Sequence, residues 1–216
     1  MERQRAELAG FAPHVASLLT TRDGEQLLAG HRREITALFC DLRGFTAFAE
    51  TADPEDVMGL VCEYHAAVGE VVVANNGTVE HFAGDGIMVL FNDPAPVANH
   101  HLVAVRSGVD LAERFAALAA AWRRRGYELG LGVGVASGYA TIGRVGFEGQ
   151  YAYGAIGNAL NLAARLSDAA AAGEILISQR TLAAVDGRVV TDEIRELQLK
   201  GFSRPVVAAR VVDVRE

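Results

Sequence analysis

Cysteine, proline and positive charge are all scarce in this sequence. Two cysteines, Cys40 and Cys62, cannot build a disulfide framework or a four-thiolate zinc centre. Free thiols usually behave as small buried apolar side chains, so both are expected inside. Five prolines and no low-complexity tract argue against a disordered or fibrous chain. Twenty Lys and Arg against 27 Asp and Glu leave a formal charge of −7. The basic footprint of a nucleic-acid binder is therefore missing, and no nucleic-acid partner is expected. A nucleotide is not excluded, because it can arrive with its own metal ions. The first ten residues lack the apolar core of a signal peptide, and no run of about 18 uninterrupted apolar residues occurs. The expectation is a cytoplasmic chain with no membrane span.

What is present is enough for one core. Half of the 216 residues are hydrophobic and 22% are charged, which suits one domain with a soluble surface. Residues 1–34 stand apart: Leu8, Phe11, Val15, Leu18 and Leu19 recur at helical spacing between charges, and a helical or linker segment is expected there. The main folded unit is then 35–216. A strand is expected over 35–40, ending at Asp41. Asp53 and Pro54 form a helix start, and an apolar stripe carries that helix to about Asn75. Residues 78–82 and 87–91 read as a hairpin around Ala83-Gly84-Asp85-Gly86. A second long helix is expected from Pro96 to Arg125, and strands over 129–136 and 139–142. A helix over 158–167, a strand over 175–178, a helix over 179–185 and strands near Val189 and over 206–212 complete the chain. Strand, helix, hairpin, helix, strand is the order of a ferredoxin-like βαββαβ core with appended strands and helices, an α+β fold. Its helices are expected on one face of an antiparallel sheet.

In such a core the first strand lies beside the third, so Asp41 and Asp85 meet at one edge. Two converging carboxylates suit Mg²⁺ or Mn²⁺. Gly84 and Gly86 flank Asp85 and let a backbone approach a triphosphate. Leu42-Arg43-Gly44-Phe45-Thr46 crosses from strand to helix, where free amides can hold phosphate oxygens. Asn161 and Arg165, four apart, share a helix face; Arg offers a forked cation for phosphate and Asn a partner for ribose or phosphate. Lys200 is a further candidate phosphate cation.

Phe39-Cys40-Asp41-Leu42-Arg43-Gly44-Phe45-Thr46 resembles the first metal motif of class III nucleotidyl cyclases. Phe82-Ala83-Gly84-Asp85-Gly86 is similar to their second metal motif. The stretch from Ile156-Gly157-Asn158 through Asn161 and Arg165 to Leu166 resembles their transition-state helix, and Leu199-Lys200-Gly201 their late Lys-Gly strand. The resemblance covers four motifs in family order. It implies two Mg²⁺ or Mn²⁺ ions per site on Asp41 and Asp85, attack of a ribose 3′-hydroxyl on the α-phosphate, and loss of pyrophosphate. It implies that Arg165 stabilises charge on the α-phosphate, Asn161 orients the ribose and Lys200 holds the terminal phosphates. It also implies a head-to-tail homodimer, metals from one chain and Asn and Arg from the other, with an upstream sensor domain or a regulatory partner acting through residues 1–34.

The family's base-reading positions fall on His81 and Gly154 and follow neither of its usual patterns. His81 can donate or accept one hydrogen bond according to its tautomer. Gly154 offers only backbone, leaving Tyr153 or a main-chain group to read the base. Bacterial-looking members are mostly adenylate cyclases, so ATP is the expected substrate. The rivals are a guanylate cyclase, relaxed or pyrimidine specificity, and a catalytically silent nucleotide-binding regulatory domain. A diguanylate-cyclase-like enzyme is disfavoured because it would leave the Asn161 and Arg165 helix without a role.

Overall fold

A computed structural model describes residues 29–147 and 150–215; the helical spacing expected between Leu8 and Leu19 lies outside them. The spine of the fold is β1 (His31–Arg43), which begins ahead of the 34/35 boundary. Successive side chains on a strand alternate between faces. Leu38, Cys40 and Leu42 therefore enter one core, while Ile35 and Ala37 enter another on the far side of the sheet. After β1 come α1 (Phe45–Thr51), α2 (Pro54–Ala74), the hairpin β2 (Thr78–Ala83) and β3 (Gly86–Phe91), α3 (His100–Arg124) and β4 (Gly130–Phe147). Their sheet order, β2-β3-β1-β4, is the ferredoxin-like core that the sequence implies. The appended elements are β5 (Gln150–Ile156), α4 (Asn158–Ala169), β6 (Ile175–Ser178), α5 (Gln179–Ala184), β7 (Val189–Leu197) and β8 (Val206–Val214). They extend the sheet to β2-β3-β1-β4-β6-β8-β7, with β5 hanging on β4. The pairing is antiparallel except between β4 and β6.

The two core helices do share one face, as expected. Tyr64 and Val68 of α2, with Phe115 and Trp122 of α3, pack against the sheet there. The opposite face is not bare: Ala163 and Leu166 of α4 cover Ile35, Ala37 and Leu176. That approach requires Gly134, because a Cβ there would strike the Ala163 carbonyl and the Ser167 amide.

Three local expectations are corrected. The strands expected over 129–136 and 139–142 are one strand: Gly138 pairs in register with Ile35, and β4 runs on to meet β5, which the pattern did not announce. The long helix starts at His100, not Pro96. Asn99 at φ 51° is its N-cap, and the stretch before it is shaped by Pro94, Pro96 and the Asn92 side chain, which accepts the Val97 amide at 3.0 Å; a residue preceding proline avoids the helical region. Cys62 is exposed, whereas Cys40 is buried and takes the Tyr64 hydroxyl at 3.2 Å. Cys62 lies two residues after the inward Leu60, which turns it away from the sheet.

By length and composition α2 is the one helix among the described residues that could cross a membrane. In the fold its Leu60, Tyr64, Val68 and Val72 are buried against the domain, and Glu63 and Glu70 pair with Arg125 and Arg114.

Candidate active site

The end of β1 and the β2–β3 turn converge. Cys40 pairs with Ile87 across the sheet, and Gly84 turns the hairpin at φ 67°, a left-handed conformation that favours glycine. Asp85, next in the turn, accepts the Leu42 amide at 3.1 Å. Burial, then hydrogen bonding and charge from Asp85, push the Asp41 carboxyl up to about 7, against the opposing pull of Arg43. Two carboxyl groups held together with too little positive charge fit a hard divalent cation. Behind the turn, His65 of α2 stacks on Phe82 at 4.7 Å.

Arg43 was not singled out by the sequence. Its guanidinium reaches Asp41 at 3.3 Å, donates to the Ala170 carbonyl at 2.8 Å and also to the Ser167 carbonyl. It therefore ties the carboxylate edge to the C-terminal end of α4. Gly44 follows at φ 84° as the N-cap of α1, with Phe45 partly buried and Thr46 exposed. The first amides of α1 have no acceptor within the helix.

Asn161 is exposed and Arg165 half-buried on α4; the Arg165 guanidinium pairs with Asp168 at 2.7 Å. Lys200 is exposed between buried Leu199 and Gly201. Among the described residues no hydrogen bond or ion pair joins Asp41 or Asp85 to Asn161, Arg165 or Lys200. Within one chain these two sets make no direct bond to one another.

A third set lies between β2 and β5. His81 is exposed on β2, and Gly154 is buried on β5. Glu80 accepts the Ala155 amide at 3.3 Å, and its other oxygen meets His81 Nδ1. A Cβ at Gly154 would come within 3.2 Å of the Glu80 carboxylate. Glu80 sits at a register shift between Val79 and His81; such a bulge re-aims side chains and has no signature in a lone acidic residue. Tyr153 is not free to read a base: it is buried and its hydroxyl donates to Asp93. Beside this set, Phe82, Val145, Phe147 and Ile156 expose 44–70% of their surface.

The chain is similar to known proteins over most of its length. A family model described as adenylate and guanylate cyclase catalytic domain matches residues 28–209. Adenylate cyclase 1 of Rhizobium meliloti is 33% identical over 174 residues, 77% of this chain and 26% of that protein. The adenylate cyclase of Anabaena cylindrica is 30% identical over 64% of this chain and 28% of its own length. The chain therefore spans about a quarter of these curated relatives. Among solved structures, the guanylyl cyclase Cya2 superposes with a TM-score of 0.83 at 36% identity, covering 87% of this chain and 95% of that one. The adenylyl cyclase CyaB from P. aeruginosa gives 0.80 at 34%, covering 87% and 97%.

Proposed function

The chain belongs to the adenylate and guanylate cyclase catalytic domain family, and from that premise we propose that it closes ATP into 3′,5′-cyclic AMP at sites shared across a cytoplasmic homodimer. The observation that carries the reaction type is the Asp41–Asp85 pair, two carboxyl groups brought together where the central strand ends. Asp41 and Asp85 would hold two Mg²⁺ or Mn²⁺ ions, which when bound supply positive charge to the triphosphate and acidify the 3′-hydroxyl. The O3′–Pα bond forms, the bond from Pα to the pyrophosphate oxygen breaks, and the hydroxyl proton leaves to solvent. Arg165 meets the charge building on the α-phosphate, Asn161 orients the ribose and Lys200 holds the terminal phosphates. Gly44, Phe45 and Thr46, with Gly84, bring backbone close to the phosphates.

The lack of any direct bond between these two sets among the described residues fits the homodimer, in which each site takes its carboxylates from one subunit and its α4 groups from the other. The exposed Phe82, Val145, Phe147 and Ile156 offer the apolar face such an interface needs. Residues upstream of β1 would link the domain to a sensor or regulatory partner.

Adenine is read at His81. Its Nδ1 faces the Glu80 carboxylate, which favours the Nδ1–H tautomer and leaves Nε2 as an acceptor. An acceptor there matches the adenine 6-amino group and opposes the guanine 6-oxygen. The similarity to Cya2 favours a second reading, GTP to cyclic GMP.

Purified protein incubated with Mn²⁺ and ATP, GTP, CTP or UTP in turn, with products identified by mass spectrometry, tests both. A dominant cyclic AMP signal that Asp41→Ala abolishes supports the proposal. Dominant cyclic GMP keeps the reaction and moves the base assignment. No product from a verified dimer assigns the domain a silent, regulatory role.

A further inference from the structure

At the opposite end of β1 from Asp41, about 23 Å away at strand rise, lies a cluster that the cyclase reaction does not use. One donor atom each from Glu34, His100 and His101 fall within 4.8 Å of one another. Glu34 is on β1, and the two histidines open α3 with ring centroids 3.9 Å apart. His100 is buried and His101 half-buried. Neutral imidazole is the form that binds metal.

The surrounding hydroxyls fix the rings. His100 Nδ1 lies 2.9 Å from Thr36 Oγ1, and His101 Nδ1 lies 2.9 Å from Ser137 Oγ. Thr36 and Ser137 are 2.9 Å apart, Ser137 and Thr181 3.0 Å, and Thr181 and Ser178 2.9 Å. If each Nδ1–H donates to its hydroxyl, every hydroxyl from Thr36 to Thr181 can donate to the next. That arrangement leaves both Nε2 lone pairs free, in the way that outer hydrogen bonds prepare histidine ligands. Two cations oppose a bound ion: Arg180 holds Glu34 Oε1 at 2.6 Å, and the charge of Arg33 acts on His100. An ion attracted by charge alone is thereby disfavoured, and one bound through imidazole nitrogen is preferred.

We propose that Glu34, His100 and His101 form a binding site for a Zn²⁺-class divalent ion, pinning the start of α3 to β1, independently of the nucleotide site. The cluster leaves a fourth position for water.

The test is Zn²⁺ titration of chelator-treated full chain against a chromophoric chelator, with Co²⁺ absorption as a second readout. One Zn²⁺ per chain is expected to survive the Asp41→Asn/Asp85→Asn double variant and to weaken at least about tenfold in His101→Ala. Visible Co²⁺ bands should follow the same pattern. Arg180→Ala, at an exposed position, should tighten binding, and it keeps the test decisive if His101→Ala fails to fold. Zinc binding lost in the double aspartate variant, no stoichiometric binding, or wild-type affinity in both His101→Ala and Arg180→Ala overturns the site.

Discussion

The Asp85 carboxylate takes the amide hydrogen of Leu42 at 3.1 Å, fastening the hairpin turn to the strand that carries Asp41. This contact keeps two carboxyl groups together even without a cation, and burial first, then hydrogen bonding and charge from Asp85, raise the pKa of Asp41. Asp41→Asn should therefore raise the melting temperature of the chelator-treated protein, by roughly 1–2 kcal/mol of stability. Mn²⁺ should stabilise the wild type more than the variant, and cyclisation should fall at least about a hundredfold. Calorimetry with and without Mn²⁺ checks this; an unchanged or lower melting point in chelator would contradict that upward shift.

A shared site makes a quantitative demand. Asp41→Asn and Arg165→Ala proteins should each be inactive as homodimers, because every site lacks one half. Mixed in equal amounts and allowed to exchange, they form heterodimers with one intact site of two. Random exchange then restores about a quarter of the wild-type rate. A mixture as inactive as its components, with heterodimers verified by differential tagging, would place both sets within one subunit.

The sheet order and the carboxylate pair were legible because they depend on features visible in one dimension: strand-length apolar runs, a Gly-Asp-Gly turn, and a helix face repeating every four residues. The missed features depend on contacts between distant segments. Arg43 has the composition of any surface arginine, and only the packing of α4 makes it a link to Ser167 and Ala170. Glu80 becomes special through a bulge and through β5. That strand was itself hidden because the expected strands over 129–136 and 139–142 stop short of most of the segment that pairs with it. Cys62 was misplaced because the usual burial of free thiols ignores which face of a helix a residue takes, and Cys62 lies on the outer face of α2.

Gly134 and Gly59 should respond oppositely to the same substitution. A methyl at Gly134 meets the α4 backbone at Ala163 and Ser167, which cannot yield without withdrawing the helix that bears Asn161 and Arg165. Gly134→Ala should cost at least about 3 kcal/mol and lower both stability and turnover. Gly59 lies on the exposed side of α2 with nothing within 4 Å of an added Cβ. Gly59→Ala should stabilise by about 0.5–1 kcal/mol through helix propensity. Denaturant titration of both proteins measures the pair, and a neutral Gly134→Ala would refute the close approach of α4 to β4.

The adenine preference we propose assigns the reading of the base to Glu80 and His81 acting together. Glu80 accepts from Ala155 and faces His81, so its carboxylate is already engaged and the imidazole is what it presents to a base. His81→Ala should lower kcat/KM for ATP about tenfold, the value of one hydrogen bond, and leave GTP turnover equal or improved, because an opposing acceptor has gone. Glu80→Gln keeps the size but can present an amide N–H to the ring, favouring the opposite tautomer. It should narrow the ATP-to-GTP ratio in the same direction with less loss of ATP turnover. Steady-state kinetics with both nucleotides decide the matter. A ratio unchanged in both variants would mean that main-chain groups of β5 read the base, and that the Glu80–His81 pair only shapes the strand.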